Sequence, residues 1–164
     1  MGSGSSYLCK SLVLAAAAAL GAAGPGLALT TVAISGDAVP SDCGAAKSAT
    51  YAIEVSGSLV GCVATFVNHF TCQEMNGYAY YTELGREEFE GTLDGAALTF
   101  DTQYTFNGFW PSGSCPEPAP EKEVAGGCIH YITGEGLVGE IRFFDVMAGE
   151  GAPHYPYAGT LTRN

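Results

Sequence analysis

The chain has 164 residues, of which 17 are acidic and six are basic, so its formal net charge at pH 7 is −11. A chain of this length suits a single domain. A surface this acidic repels phosphate backbones and anionic lipid headgroups, so we expect neither nucleic acid nor membrane partners. The acidity does not require a binding partner as its explanation, because a high net charge keeps exported proteins soluble and prevents them from associating with one another.

Residues 1–28 have the parts of a secretory signal peptide in the usual order. Lys10 is the one cation, an apolar run extends from Leu12 to Ala23, and a Gly-Pro-Gly break leads to small residues ending at Ala28. We predict cleavage after Ala28 and export of residues 29–164, to the extracellular space or, in a bacterium, to the periplasm. This mature part has 17 acidic and five basic residues, a net charge of −12. A membrane anchor is the alternative, but the apolar run is shorter than the roughly 20 residues that cross a bilayer.

After the signal segment the chain consists of short β-rich runs separated by glycine-containing turns, and no segment has the 3.6-residue apolar period of a helix. We therefore predict an all-β fold, a small antiparallel β-barrel of about eight strands, with a β-sandwich as the alternative. A proline-rich loop at residues 111–123 is the longest interruption. The β-rich runs are 30–35, 49–56, 58–67, 69–75, 78–84, 87–93, 96–106, 127–132, 138–147 and 155–162.

The segment EEFEGTLDGAALTFDTQYTF, residues 87–106, predicts a hairpin and its register. Asp94 and Gly95 tolerate positive φ, which both central positions of a tight two-residue turn require. Such a turn places Phe89 opposite Phe100 and makes one face apolar and the other polar along both strands. A shift of one residue in the strand pairing would mix apolar and polar side chains on both faces, so the register is strongly specified. The apolar face is expected to point inward, towards a core or a cavity.

Asn76 and Gly77 predict a second turn of the same type, but the strand after it is ambiguous. Tyr78 and Tyr80 share one face of that strand, and Tyr81 lies on the other. The sequence leaves two alternatives, a strand covered on both sides or one that shows tyrosines to solvent.

Five cysteines lie beyond the signal segment, and export makes disulfides the default for them. We predict a disulfide between Cys115 and Cys128, because it would close the proline-rich segment between two strands. Closing a loop of that size contributes about 3 kcal/mol in the chain-entropy model. Cys43, Cys62 and Cys72 would then provide one more bridge, whose pairing the sequence leaves open, and one thiol.

A barrel of about eight strands is just wide enough to be filled by side chains or to hold one small ligand. The inward face of the hairpin and alternate residues of the strand GEIRFFDV supply apolar candidates for the wall of a cavity. The alternative is that these side chains simply fill the core. The candidate lining residues are Phe89, Leu98, Phe100, Tyr104, Phe106, Ile141 and Phe143.

Two acidic residues, Glu87 and Asp145, have the inward parity and lie at or near the ends of apolar faces. If both carboxyl groups point into a cavity, they are candidates for acid-base catalysis on a buried ligand. Otherwise Glu87 lies in water at the barrel mouth, and Asp145 marks a bulge or accepts a backbone hydrogen bond. His69, His130 and His154 are scattered and are expected to be structural or exposed. No zinc motif, calcium loop, nucleophile elbow or dinucleotide-binding unit occurs, so we predict no metal and no cofactor.

The order ITGEGLVGEIRFFDV followed by YPYAGTLTRN resembles the C-terminal part of exported barrels of the allene oxide cyclase and dirigent type. In that family a G-x-G turn, a further glycine and an alternating apolar strand precede a closing strand with Y-x-G. The resemblance covers about a third of the chain and implies the barrel architecture. The family includes cyclases of oxidised fatty acids and proteins that guide phenolic radical coupling, but no catalytic residue carries over. The matching positions are Gly134, Gly136, Gly139, Ile141, Phe143, Asp145, Tyr157 and Gly159.

Three functions fit these observations. The first is binding of a small apolar or aromatic molecule in the barrel interior. The second is a cyclase or isomerase that uses one of the two acids in the same cavity. The third is a protein-interaction module with a filled barrel that displays Tyr78, Tyr80, Tyr81 and Trp110, where Trp110 is an exposed anchor or a lid. The number of subunits is left open.

Overall fold

The computed structural model describes residues 29–116, 122–144 and 154–163, which form one antiparallel sheet of eight strands that closes on itself. Each strand pairs with the next along the chain, and the last returns to pair with the first. The predicted barrel of about eight strands is therefore confirmed, and its connections run up and down. The strands are β1 (Thr30–Ser41), β2 (Tyr51–Gly57), β3 (Leu59–Met75), β4 (Tyr78–Leu93), β5 (Ala96–Pro111), β6 (Ala125–Gly134), β7 (Leu137–Phe144) and β8 (Tyr157–Arg163), with a short 3-10 helix at Ala45–Lys47.

Two tight turns set the register of the longest strands. Asn76 and Gly77 join β3 to β4 with φ angles of 54° and 82°, and Asp94 and Gly95 join β4 to β5 with φ angles of 51° and 80°. Glycine adopts such angles without a steric penalty, and Asn and Asp tolerate them better than other residues. The two dipeptides therefore reverse the chain where the sequence predicted it.

Side chains alternate between the interior and the outside of the barrel as the hairpin pattern predicted. Phe89 pairs with Phe100, and both are buried. On β7, Ile141 and Phe143 face inward and are buried, whereas Phe144 is exposed. One face of each of these strands thus belongs to a common interior.

The half of the interior next to the β4–β5 turn is a packed apolar core. The rings of Phe89 and Phe100 stack with centroids 4.6 Å apart, and Leu59 and Leu161 are almost fully buried in the same cluster. The Tyr157 hydroxyl accepts a hydrogen bond of 2.9 Å from the Leu59 N–H. This core anchors β8, the closing strand, to the beginning of β3.

The other half of the barrel is extended by three long strands. β3, β4 and β5 have 17, 16 and 16 residues, about twice the length of β2, β7 and β8. β2 pairs with β3 only as far as Thr65, and beyond this point the register of β3 shifts between Val67 and His69. The extensions carry aromatic side chains past the packed core, and they form one wall of the open half.

The structure corrects the predicted disulfide. Cys115 is bonded to Cys72 and not to Cys128, and a second disulfide joins Cys43 to Cys62. β3, β4 and β5 run to the same end of the barrel, which brings the end of β3 next to the segment that follows β5. Sequence proximity suggested the shorter loop, but the strand register decided the pairing. The two disulfides fit an oxidising compartment.

The same corner is held by hydrogen bonds. The Glu74 carboxylate accepts bonds from the Ser112 hydroxyl and the Gly113 N–H at 3.0 Å each and from the Cys115 N–H at 3.3 Å. The backbone N–H of Gly113, followed by the backbone N–H of Cys115 and the Ser112 hydroxyl, holds the pKa of this carboxyl below its usual range. The chain that leaves β5 is therefore fixed to the end of β3.

Some sequence predictions fall outside the described residues. These are the signal peptide at residues 1–28, Asp145, and residues 117–121 of the proline-rich loop. Within the described ranges there is no helix with the length and apolar character needed to cross a bilayer.

The disulfide assignment can be tested directly. A digest of the unreduced protein should yield linked peptides containing Cys72 with Cys115, and Cys43 with Cys62. Replacing Cys72 and Cys115 together by serine should lower the free energy of unfolding by about 4 kcal/mol, because the bridge closes a long loop. The Cys43/Cys62 pair closes a shorter one, so its removal should cost about 3 kcal/mol. A peptide linking Cys115 to Cys128 would contradict the assignment.

Candidate functional site

The open half of the barrel contains a cavity of about 540 Å³, a volume typical of sites for small molecules. Tyr51 and Phe70 lie in its wall and are 44% and 53% exposed, so the cavity reaches the surface beside them. The lining combines aromatic and aliphatic side chains with a few polar groups. Its residues are Pro40, Tyr51, Ala52, Ile53, Phe70, Tyr81, Glu83, Glu87, Phe106, Trp110, Pro116, Glu123, Cys128, His130, Phe143 and Tyr155.

The predicted lining residues divide between the cavity and the core. Phe106 and Phe143 line the cavity. Phe89, Leu98, Phe100 and Ile141 belong to the packed core, which contains a gap of about 10 Å³, no more than one water needs. Tyr104 is buried at the boundary between the two and contributes its hydroxyl to a polar network.

That network surrounds Glu83, which the sequence analysis did not select. Three tyrosine hydroxyls donate to its carboxylate: Tyr51 at 3.0 Å and Tyr104 at 2.7 Å to Oε1, and Tyr81 at 2.9 Å to Oε2. These bonds satisfy most of the acceptor positions of a carboxylate. A buried charge is thus solvated by neutral donors from β2, β4 and β5.

The three tyrosines are held in their protonated form. Burial raises the pKa of Tyr51, Tyr81 and Tyr104 well above 10, and the Glu83 carboxylate adds to the shift in each case. Tyr51 is partly exposed, but its hydroxyl is turned into the barrel and bonded to Glu83. The network therefore consists of donors that keep their protons throughout the physiological pH range.

A glycine makes room for one of these tyrosines. Gly85 lies opposite Tyr104 in the β4–β5 ladder, and a Cβ at this position would be 2.5 Å from the Tyr104 ring. The missing side chain lets the Tyr104 ring lie along β4 and reach Glu83, two residues away.

A second carboxylate, Glu87, lies four residues further along β4 on the same inward face, closer to the packed core. It is 3% exposed and accepts hydrogen bonds from Thr65 at 3.0 Å and Thr102 at 2.7 Å. His130 Nδ1 lies 2.5 Å from its Oε2. The prediction that Glu87 faces inward is confirmed, and the alternative that it lies in water at the barrel mouth is wrong.

His130 connects the core to the cavity. Its ring stacks on Tyr104 with centroids 5.5 Å apart and meets the edge of Phe143 at 4.7 Å. The side chain is 2% exposed and lines the cavity, and its Nε2 has no hydrogen-bond partner within the described residues. A buried polar atom without a partner is uncommon, and here it belongs to a residue of the cavity wall.

Trp110 is buried, so of the two alternatives for this residue, an exposed anchor or a lid, the exposed anchor is wrong. It is 4% exposed, lines the cavity, and packs edge-on against Tyr81 at 5.7 Å and Phe106 at 6.2 Å. Tyr78 is exposed on the outer face, and Tyr80 is half-buried there against Phe109. Of the four aromatic residues proposed as an interaction surface, two are therefore inside.

Sequence reasoning missed Glu83 and His130 for different reasons. Glu83 has the same parity as Glu87 and Phe89, so continuing the hairpin face four residues further would have found it. His130 lies in CIHYITG, where both faces mix apolar and polar residues, so alternation gives no direction there. Only the register of β6 with β5, which places His130 opposite Tyr104, determines that it faces inward.

Comparison with known proteins finds no match: no protein-family model, no curated protein and no solved structure is similar to this chain. The resemblance to allene oxide cyclase and dirigent barrels stays a prediction.

The tyrosine network predicts a distinctive alkaline behaviour. The folded-state pKa values of the three tyrosines lie above the unfolded value of about 10, so the folded protein keeps protons that the unfolded chain loses. The contribution of this network to the free energy of unfolding should not vary with pH below about pH 9. The free energy of unfolding should fall as the pH rises above about 10. Tyr104→Phe should make that fall shallower, by up to about 1.4 kcal/mol per pH unit. Denaturant unfolding followed between pH 8 and pH 12 measures this.

The matched control is Tyr131→Phe, which removes a hydroxyl from the exposed outer face of β6. It should leave the slope unchanged. If the free energy of unfolding fell equally steeply with pH in Tyr104→Phe and in the parent protein, the proposed effect of Tyr104 on alkaline stability would be contradicted.

Proposed function

We propose that this is an exported barrel protein that binds a small, mainly apolar or aromatic molecule in its open half. The observation that carries the proposal is the cavity of about 540 Å³ whose wall is mostly aromatic and aliphatic. Sites of this size and lining, with a few polar groups that fix orientation, are the usual form of small-molecule sites.

The polar groups converge on one part of the wall. The Glu83 network and the Glu87–His130 pair adjoin each other through Tyr104, which bonds to Glu83 and stacks on His130. A ligand with one polar end would place that end here and its apolar body among Phe70, Phe106 and Trp110. The structured polar groups would then set the orientation of the ligand.

The proposal includes export, for which the signal-like start and the two disulfides are the support. Disulfides form and persist in oxidising compartments, so the two in this chain support export.

Trp110 provides the test, because it is the single tryptophan of the chain and lines the cavity. Titration with the uncharged dye N-phenyl-1-naphthylamine should quench Trp110 emission and enhance dye emission with saturable, one-site behaviour. Native mass spectrometry of protein from its natural source should release a small molecule on denaturation. Dye that binds without quenching Trp110 would contradict this location.

Two variants separate the cavity from the outer surface. Cys128→Phe adds a ring to the cavity wall, so it should weaken dye binding by about tenfold or more through lost volume. Ala125→Phe adds the same ring to an exposed position of the same strand and should leave dye affinity unchanged. Equal effects of the two variants would sink the proposal that the dye enters the barrel.

The Glu87–His130 pair favours a second candidate, a cyclase or isomerase that transfers a proton within the same cavity. When the imidazole is neutral and Nδ1 donates to Glu87, Nε2 of this cavity-lining residue keeps a lone pair without a partner among the described residues. His130 would then be the base that removes and returns a proton at a carbon of the substrate, and Glu87 would position it.

Deuterium exchange tests this candidate. Protein with its co-purified molecule, placed in D2O, should incorporate deuterium at carbon in that molecule, as measured by mass spectrometry after release. His130→Asn should abolish the incorporation, and Glu87→Gln should slow it while the molecule stays bound. Glu54→Gln, at an exposed position of β2, is the control and should have no effect. Incorporation that persists in His130→Asn would refute a base at this position.

A further inference from the structure

The cavity has an excess of negative charge. Glu83, Glu87 and Glu123 are in its wall, and among the described residues no lysine or arginine lines it. His130 is the one lining side chain there that can become a cation, and it is already in contact with Glu87. The hydroxyl groups around Glu83 and Glu87 are neutral donors, which solvate a carboxylate without cancelling its charge.

Buried charges are costly unless an opposite charge or a dense set of donors offsets them. Counting donors, Glu83 and Glu87 each accept three hydrogen bonds, and a carboxylate offers about four acceptor sites. Each carboxylate thus has acceptor capacity left. A cation in the cavity would use this capacity and offset the charge, whereas an anion would add to it.

His130 Nε2 is an independent indication of the same kind of ligand. This atom is buried, it belongs to a residue that lines the cavity, and it has no hydrogen-bond partner within the described parts of the chain. With Nδ1 donating to Glu87, Nε2 of the neutral ring is an acceptor. A ligand that donates an N–H at this point would satisfy the one atom that the protein leaves without a bond there.

The remaining wall suits the same chemistry. Aromatic ring faces attract organic cations, and tryptophan does so best. The cavity is also large enough to hold an apolar body attached to the charged group. The aromatic lining residues are Tyr51, Phe70, Tyr81, Phe106, Trp110, Phe143 and Tyr155.

We infer that the ligand of this cavity is an organic ammonium ion, a protonated amine on an apolar or aromatic body. Its N–H groups donate to His130 Nε2 and to the cavity carboxylates, and its body packs against the aromatic wall. The inference rests on the proposed function, since it names the class of molecule that the same cavity binds.

Three probes with one body and three charges test it. At pH 7, 1-naphthylmethylamine is a cation, 1-naphthalenemethanol is neutral and 1-naphthoate is an anion. Isothermal titration calorimetry should show that the amine binds about tenfold or more tightly than the alcohol, and that the anion binds weakest. An alcohol or anion that binds the parent protein as tightly as the amine overturns the inference, although it leaves cavity binding intact.

Variants then locate the charge effect. Glu83→Gln should lower the affinity for the amine by about tenfold and leave that for the alcohol unchanged. Glu54→Gln changes the net charge equally on the outside of the barrel and should alter neither affinity. If Glu83→Gln does not fold, Glu123→Gln removes another cavity carboxylate and should produce the same selective loss. Equal losses in Glu54→Gln and the cavity variant would show only a general surface effect and would overturn the inference.

Failure of the proposed function has a different signature. If none of the three probes binds and N-phenyl-1-naphthylamine leaves Trp110 emission unchanged, the cavity does not bind small molecules. The inference then fails together with the proposal on which it rests.

Discussion

The ladder between the first and the last strand is the interaction on which the rest of the structure depends. Thr30–Gly36 of β1 pairs with Tyr157–Arg163 of β8, and this pairing converts a twisted sheet into a closed barrel. Where the eight strands pair around the ring, closure removes the sheet edges and creates one interior that every strand shares. Because β8 is also fixed to the start of β3 through Tyr157, the ladder and the packed core support each other.

The interior is divided by its chemistry into two parts. The apolar core next to the β4–β5 turn has almost no free volume, whereas the open half keeps a cavity. Between them lie Glu83, Glu87 and His130 with their hydroxyl partners. Buried polar groups need specific partners, so this layer has a defined geometry that an apolar layer would lack. The layer fixes the bottom of the cavity and gives the cavity its charge.

Much of the fold follows from local signals. The Asn76-Gly77 and Asp94-Gly95 turns fix the register of β3 to β5, and the strict alternation of residues 87–106 fixes which side faces inward. The division of the interior could not be predicted in the same way. Phe89 and Phe106 have the same parity and the same chemistry, and only their heights along the barrel place one in the core and the other at the cavity.

The disulfides and the histidine show the same limit of sequence information. Cys72 and Cys115 are 43 residues apart, and their proximity arises because three long strands end at one side of the barrel. His130 is brought to Glu87 by strand pairing across Tyr104 and Thr102, not by any motif. Local sequence patterns determine which side chains point inward and where the chain turns. The height of each residue along the barrel axis depends on the pairing register of all the strands.

The tether at the end of β3 has a consequence for the rate at which the proposed ligand would exchange. Pro116 lines the cavity and directly follows Cys115, which is bonded to Cys72, while Glu74 holds the preceding backbone. Backbone movement on this side of the opening is therefore restricted by a covalent bond. The rate at which the proposed ligand leaves the cavity would then depend on rotations of exposed rings such as Phe70 and Tyr51. These rotations are fast compared with the opening of a strand. Reduction of the Cys72–Cys115 bond would then shorten the residence time of a ligand even where the barrel stays folded.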